Sequence, residues 1–156
     1  MDKILLDTTY LLPIFGVNIK LRDYEKCFPK ILSKFNVLYN PISIIEAKWI
    51  VLSITRRCTK KERIKRLNRF RIGLHSLLWD RRFTPTPLTN PDVEEFADKL
   101  LIELNLKDLF DRIIYSTAKH YNAILLTEDK ALLKITQSHS EYSLRAVNWE
   151  SLVRNL

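Results

Sequence analysis

The sequence predicts an α/β protein: a three-layer α/β/α sandwich with a central, mostly parallel sheet. Short apolar runs of strand length alternate along the chain with longer segments whose apolar residues recur at helical spacing. Strands separated by helices form parallel sheets that are covered on both faces. The 156 residues, 46% hydrophobic and 28% charged, fit one globular domain over residues 1–156.

Five segments are predicted to form the sheet. Residues 3–7 and 123–127 contain continuous apolar runs and predict two buried strands. Residues 35–39 predict a third strand, which ends at an Asn-Pro pair. Residues 143–148 predict the last strand. Residues 81–88 contain two prolines and predict a short edge strand or an extended connection.

Helices are predicted between these strands from caps and apolar spacing. Thr59 and Asp108 can each cap a helix, and Asn90 precedes a proline at a first helical turn. The apolar residues that follow recur every three or four positions. The predicted helices cover approximately residues 21–34, 43–57, 59–78, 90–104, 108–121 and 129–136.

Two neighbouring helices carry large apolar side chains. The helix over residues 43–57 is predicted to bury Ile45, Trp49, Val51 or Leu52, and Ile54. For Trp49, core or interface packing is favoured over base stacking. The next helix carries an apolar stripe that fits a homodimer interface and a buried helix of one domain equally well: Ile64, Leu67, Phe70, Leu74, Leu77 and Leu78. Trp149, after the last strand, is predicted to anchor the C-terminal segment by packing.

Composition excludes several classes of protein. Two glycines in the whole chain exclude glycine-rich phosphate loops. No apolar run is long enough to span a membrane, and the apolar run near the N-terminus is too short for a signal peptide. Cys27 and Cys58 have no metal-binding spacing and are expected to be ordinary thiols of a cytoplasmic protein.

The charge of the chain favours an acidic partner. The formal net charge is +8, and nucleic acid is the simplest partner for such a protein. The excess is concentrated in one run that contains a single acid, Glu62, and these basic residues: Arg56, Arg57, Lys60, Lys61, Arg63, Lys65, Arg66, Arg69 and Arg71. This run is predicted to contact the phosphate backbone of such a nucleic acid. The alternatives are an acidic protein partner and a merely solvated helix face.

Four acidic residues lie where strands end or helices begin. Asp7 and Asp129 follow two apolar strands, and Glu46 and Asp111 fall in the first turns of two predicted helices. Each alone fits a helix cap or a capping box. In a parallel sheet these turns gather at one edge, so the carboxylates are expected to meet in space. Such a cluster is costly unless a hard divalent cation neutralises it, which indicates metal-assisted phosphate chemistry.

Two threonines stand beside these acids. Thr8 follows Asp7, and Thr127 precedes Asp129 by two positions. They are expected either to orient a carboxylate or a water on the metal, or simply to cap helices. None of the three histidines is placed as an evident general base, so a metal-free ribonuclease that depends on histidine fits poorly: His75, His120 and His139.

Around these acids the chain resembles the PIN-domain ribonucleases. The similar segments are Leu5-Leu-Asp-Thr-Thr9, Ser43-Ile-Ile-Glu-Ala47, Asp111-Arg-Ile-Ile-Tyr-Ser-Thr-Ala118 and Ile124-Leu-Leu-Thr-Glu-Asp129. The intervals between the acids are 39, 65 and 18 residues, and the resemblance covers nearly the whole chain. The pair formed by the third and fourth segments is the most specific part. The chain departs from the family in its unusually basic helical pair and in Tyr121-Asn-Ala123, where the family often has a small residue or glycine.

The resemblance implies a nuclease that depends on Mg²⁺ or Mn²⁺ and cuts single-stranded or structured RNA. Asp7, Glu46, Asp111 and Asp129 match the metal-binding acids, and Thr127 matches a small polar residue near the fourth. Many small members are toxins held inactive by a partner antitoxin, and PIN-like domains often pair. A free-standing RNA-processing enzyme is the alternative to a toxin.

Two other classes of function compete with the nuclease. The first is a catalytically silent PIN-like module that binds RNA or a protein, against which the four intact acids argue. The second is a phosphatase or phosphotransferase of the haloacid dehalogenase kind, which also begins with an aspartate after the first strand. That chemistry requires a second acid two residues later, where this chain has Thr9.

Overall fold

A five-stranded parallel sheet forms the centre of the protein. The computed structural model describes residues 1–156. The strands are β1 (Lys3–Leu6), β2 (Asn36–Tyr39), β3 (Phe83–Pro85), β4 (Ile124–Leu126) and β5 (Ala146–Val147). They lie in the order β3-β2-β1-β4-β5, and every neighbouring pair is parallel. The predicted fold class is therefore confirmed, and residues 81–88 do contain an edge strand.

Seven α-helices and three short 3₁₀ turns surround the sheet. The helices are α1 (Tyr24–Lys34), α2 (Ile42–Thr55), α3 (Lys60–Trp79), α4 (Pro91–Leu104), α5 (Leu109–His120), α6 (Lys130–Ser138) and α7 (Trp149–Val153). The 3₁₀ turns are Thr8–Tyr10, Leu12–Phe15 and Ser140–Tyr142. None of the helices is long and apolar enough to cross a membrane.

Alternation along β1 divides the core between the two faces of the sheet. Ile4 and Leu6 pack in the core cluster that contains buried side chains of α1, α2, α3 and α7. Leu5 points to the opposite face and packs in the cluster that contains buried side chains of α4, α5 and α6. Successive side chains of a strand point to opposite faces, so one strand serves both helical layers.

Side-chain caps fix where several helices begin. Thr59 and Asn90 each accept a hydrogen bond from the backbone three residues later, at the starts of α3 and α4. Asp108 and Asp129 do the same for α5 and α6. Such caps satisfy backbone N–H groups that have no partner inside the helix.

The predicted buried side of α2 is confirmed at Val51, which is 3% exposed, and is wrong for the other residues. Ile45, Trp49 and Leu52 are exposed, with Trp49 65% exposed, and Ile54 is 39% exposed. The residues that α2 buries are mostly small and recur every fourth position: Ser43, Ala47, Val51 and Thr55. Because α2 is hydrophobic nearly all round, its apolar residues do not mark one face.

The predicted stripe of α3 is only partly buried. Phe70 and Leu77 belong to the core, whereas Ile64 and Leu78 are at least half exposed. Between the two core residues, Gly73 lies against the turn Leu12–Phe15, where an added Cβ would be 2.1 Å from the carbonyl oxygen of Ile14. The contact requires the absence of a side chain at Gly73, which hydrophobic spacing does not reveal.

The C-terminal segment contains a helix that was not predicted. The last strand is only Ala146–Val147, and α7 follows it directly. Trp149 is 3% exposed and stacks on Tyr10, so its predicted packing role is confirmed.

Candidate metal-binding active site

Asp7 is held at the carboxyl end of β1 by groups from two strands. Its backbone N–H donates to Leu126 at 3.0 Å, which brings it beside the end of β4. Its carboxylate accepts hydrogen bonds from Thr127 Oγ1 at 2.6 Å and from the Thr8 N–H at 2.7 Å. Burial raises the pKa of Asp7, and these two hydrogen bonds oppose the rise.

Glu46 reaches the same edge of the sheet from the first turns of α2. The Thr8 hydroxyl donates a hydrogen bond to its carboxylate. Burial raises the pKa of Glu46, the Thr8 hydrogen bond lowers it, and the charges of Asp7 and Asp108 raise it. Thr8 therefore links two of the acids, through its backbone to Asp7 and through its side chain to Glu46.

Asp111, in the first turn of α5, also belongs to the acidic cluster. Burial is the main cause that raises its pKa to about 7, and the charges of Asp108, Asp129, Asp7 and Glu46 raise it further. Because charges interact this way only at short range, the carboxyl groups share one region. The structure thus brings together four acids that are far apart in the sequence.

Asp129 combines the capping role with a place in the cluster. Its Oδ1 accepts hydrogen bonds from the N–H groups of Ala131 and Leu132, at 2.6 and 3.1 Å. Its own N–H donates to Thr127 Oγ1 at 3.0 Å. The capping explanation is therefore correct for one oxygen of Asp129, and the other oxygen receives no hydrogen bond.

Asp108 is a further acid of this cluster, although the sequence predicts only a helix start at this position. It does accept a hydrogen bond from the Asp111 N–H at 3.1 Å. Its charge nevertheless acts on both Asp111 and Glu46. Its position three residues before Asp111 was the available signal, since both then lie near the start of α5.

Glu128 lies beside the cluster, but its carboxylate makes hydrogen bonds that stabilise the fold. It accepts hydrogen bonds from the Tyr10 hydroxyl at 2.5 Å and from the Trp149 N–H at 2.7 Å. Burial and the Glu128 charge raise the pKa of Tyr10 well above its usual range. Glu128 therefore fastens the C-terminal helix to the sheet.

The donor set fits a hard divalent cation such as Mg²⁺ or Mn²⁺. The cluster offers the carboxylates of its acids and the hydroxyls of Thr8 and Thr127, and oxygen atoms are the ligands that such ions prefer. The histidines lie elsewhere: His75 beside Trp79, His120 beside Asp92 and Tyr121, and His139 beside Tyr142. No three acidic, histidine or cysteine side chains form a ready-made ligand set. The arrangement suits an ion that keeps several waters and takes few ligands from the protein.

An exposed tryptophan and a half-buried phenylalanine border the acids. Trp49 lies one turn after Glu46 on α2, and its ring is 6.0 Å from that of Phe110. The two rings, Glu46 and Asp108 line a shallow depression of about 330 Å³. Core packing of Trp49 is therefore wrong, whereas the interface alternative stays a prediction.

The nine basic residues differ in their surroundings, although all of them except the half-buried Arg66 are exposed. Lys65, Arg66 and Arg69 line a common cavity on one flank of α3. Arg63 lies within 3.5 Å of the Thr55 carbonyl oxygen, and Arg71 donates to Asn68. The others are exposed around the junction of α2 and α3: Arg56, Arg57, Lys60 and Lys61.

Solved structures share this fold at low sequence identity. Protein PAE2754 from Pyrobaculum aerophilum aligns at 18% identity with a TM-score of 0.64, over 99% of this chain and 96% of that one. VapBC2 from Rickettsia felis, solved bound to a DNA fragment from its promoter, aligns at 18% identity with a TM-score of 0.63, over 94% and 98%. A toxin–antitoxin complex from Klebsiella pneumoniae aligns at 20% identity with a TM-score of 0.53, over 81% and 86%.

Sequence comparison identifies the family. The comparison with curated proteins gave no match. The model of the PIN domain matches residues 4–137, a range that contains every acid of the cluster. The chain therefore belongs to the PIN domain family.

Proposed function

We propose that the protein is a metal-dependent endoribonuclease that hydrolyses RNA phosphodiesters at the acidic cluster. The observation that carries this proposal is the position of Asp111 at one edge of the sheet. The negative charges of four other acids raise the pKa of its carboxyl group there. PIN domains are generally nucleases and typically use divalent metals. The net charge of +8 favours a polyanionic substrate.

In this proposal each residue around the cluster has its own task. Asp7, Glu46, Asp111 and Asp129 would hold Mg²⁺ or Mn²⁺ together with several waters, and such an ion would supply an activated water and charge stabilisation for phosphodiester hydrolysis. Thr127 and Thr8 fix the orientation of the carboxylates of Asp7 and Glu46. Asp108 adds negative charge beside Glu46 and Asp111, which strengthens the attraction for a cation.

The test is cleavage of a panel of transfer and ribosomal RNAs with Mg²⁺ or Mn²⁺. Wild type is compared with Asp7→Asn and Asp129→Asn, which nearly preserve shape while removing a charge. We expect cleavage by wild type alone, abolished by EDTA. Activity that persists in both variants or in EDTA would point to a contaminant or another site. Binding of RNA without cleavage of any RNA would favour the catalytically silent module.

We further propose that the protein acts in the cytoplasm as the toxin of a toxin–antitoxin pair. The Klebsiella pneumoniae structure with the same fold is a toxin–antitoxin complex. The exposed side of α2 offers Ile45, Trp49 and Leu52 in a row that begins beside Glu46. An antitoxin segment bound there would bury this apolar surface and cover the acidic cluster. Co-purification with the product of a neighbouring gene tests this role, and a free-standing RNA-processing enzyme would have no such partner.

A homodimer is proposed through the C-terminal end of α3. Ile72, Leu78 and Trp79 are 68%, 60% and 75% exposed there, in one short stretch of helix. Burial of such side chains against a second copy would remove a large apolar area from water. Sedimentation of wild type and Trp79→Glu tests this, because the charged variant should be monomeric.

A further inference from the structure

A basic cavity lies between α3 and the chain that follows the Leu12–Phe15 turn. It has a volume of about 170 Å³. Lys65, Arg66 and Arg69 provide three positive charges, and Glu62 is the single acid. Gly16, Asn18 and Ile54 belong to its walls. The charge in this confined space favours a small anion.

The basic side chains of this cavity have few hydrogen-bond and ion-pair partners within the protein. Glu62 lies 3.2 Å from Arg66 Nε, yet this buried nitrogen makes no hydrogen bond. Neither Lys65 nor Arg69 lies within 4.0 Å of any carboxylate. A buried donor that makes no hydrogen bond is costly even beside an ion-pair partner, so Arg66 Nε keeps the capacity to donate to a bound anion.

Gly16 shapes the cavity and places Arg69. The backbone at Gly16 has a φ of +82°, which side chains rarely adopt. An added Cβ would be 2.5 Å from Cδ of Arg69. The aliphatic part of Arg69 therefore lies directly on the glycine, which limits the positions open to its guanidinium group.

The cavity and the depression beside the acids are neighbours along α2. Ile54 lines both of them. Glu46, Ile50 and Ile54 follow one another at intervals of four residues, so they lie along one side of α2. Eight residues of helix span about 12 Å, which sets the separation between the acidic cluster and the cavity along this helix.

We propose that this cavity binds one phosphodiester group of the RNA strand, at a fixed distance from the phosphate that is cleaved. The inference rests on the proposed function and narrows it, because it selects three of nine basic residues. A phosphate group suits the cavity better than a carboxylate does, since its oxygens can accept from several Arg and Lys donors at once. Anchoring a neighbouring phosphate would fix the register of the strand over the acids.

The test compares Arg69→Met with Arg81→Met. Met retains the aliphatic stem of Arg69 against Gly16, and both variants lose one positive charge. Arg81 is an exposed arginine just before β3, at the edge of the sheet opposite the acids, and it has no ion pair. Both are made in the Asp7→Asn background, so that RNA stays intact. Lys65→Met provides a second variant of the cavity, and thermal melting checks that each variant folds.

Binding is measured with single-stranded RNA oligonucleotides and with a series in which one phosphate is replaced by an uncharged methylphosphonate. We expect Arg69→Met and Lys65→Met to weaken binding about five- to tenfold at 150 mM salt and to lower the salt slope by about 0.7. Arg81→Met should change the affinity less than twofold. One methylphosphonate position away from the scissile phosphate should weaken binding to the Arg81→Met protein, and Arg69→Met should erase this penalty.

Other results would overturn the inference. Equal losses in Arg69→Met and Arg81→Met would show general electrostatic attraction only. Stabilisation by inorganic phosphate that Arg69→Met abolishes, without any sensitive position in the RNA, would assign the cavity to a free phosphate ligand. Loss of binding to an acidic peptide, with RNA binding unchanged, would assign it to a protein partner. If wild type cleaves no RNA yet the position effect is present, the subsite stands and the nuclease proposal fails.

Discussion

Thr127 Oγ1 donates a hydrogen bond of 2.6 Å to Oδ2 of Asp7, across 120 positions of sequence. The bond joins the carboxyl ends of β4 and β1, whose last residues Leu126 and Leu6 are paired in register. The same hydroxyl accepts the N–H of Asp129 at 3.0 Å. One threonine therefore sets the positions of two acids that the sequence separates widely.

Thr127→Val should weaken metal binding about 10–100-fold, because it removes the hydroxyl group that orients the Asp7 carboxylate. The buried Asp7 carboxylate would also lose the hydrogen bond that it accepts from Thr127, which should lower the free energy of unfolding by about 1–3 kcal/mol. Titration with Mn²⁺ and urea denaturation measure the two effects. Thr127→Ser keeps the hydroxyl and is expected to retain most of both. Equal loss in Ser and Val variants would contradict the role of the hydrogen bond.

Asp111→Asn should stabilise the protein without metal at neutral pH. The folded protein holds the pKa of Asp111 at about 7, above the ordinary value of 3.8. The native state thus binds a proton more tightly than the unfolded state, and this contribution to stability is present below about pH 4 and is lost as the pH rises through 7. In EDTA at pH 8 we expect a gain of about 2–4 kcal/mol in the free energy of unfolding.

The comparison at several pH values isolates Asp111 from other groups. The difference between Asp111→Asn and wild type should shrink toward zero at pH 4. Asp98→Asn, at an exposed position of α4, should show no such pH dependence. A gain at pH 4 as large as that at pH 8 would argue against charge repulsion as the cause.

Asp108 should have two roles that substitutions can separate. It caps α5, and it adds a negative charge to the acidic cluster. Asp108→Asn keeps an oxygen that can accept the Asp111 N–H, so stability should change little, while cleavage weakens because the cluster has one negative charge fewer. Asp108→Ala should lose about 1 kcal/mol of stability as well. Melting curves and single-turnover cleavage rates distinguish the two. Full activity in Asp108→Asn would restrict this residue to capping.

Gly73→Ala should destabilise the fold, since the new Cβ would be 2.1 Å from the Ile14 carbonyl oxygen. The cost is expected to be about 1–3 kcal/mol, as for other overpacked sites. Ser76→Ala, one turn along α3 at an exposed position, serves as the control and should cost much less. Urea denaturation gives both values. A neutral Gly73→Ala would mean that α3 and the Leu12–Phe15 turn separate easily.

Trp49→Ala should leave stability nearly unchanged, because the side chain is 65% exposed. If α2 is the antitoxin surface, the same variant should weaken antitoxin binding by about 2 kcal/mol or more, as expected of a central aromatic residue. Calorimetric titration of the antitoxin measures the affinity. Ile102→Ala is the control, because Ile102 is a 79% exposed apolar residue on a different helix, α4. Similar losses in both variants would place the antitoxin elsewhere.

The fold could be predicted because its signals are local. The apolar runs of β1 and β4 are short and lie between helical segments, and strands of this kind form a parallel sheet. Asp7 and Asp129 directly follow the predicted strands, so sheet topology alone brings them to one edge. Their meeting required no knowledge of side-chain packing.

Tertiary contacts determined which face α2 buries and which of the basic residues line the cavity. They also determined that Asp108 belongs to the acidic cluster. In α2 the apolar residues surround the helix, so packing of the small Ala47 and Ser43 decided which side is covered. Lys65, Arg66 and Arg69 share a cavity only because Gly16 and Gly73 let α3 approach the Leu12–Phe15 turn closely. The sequence by itself determined the sheet and the edge at which the acids gather, because those depend on periodicity and chain order. The surfaces around the acids depend on how closely helices approach one another, which only the tertiary structure decided.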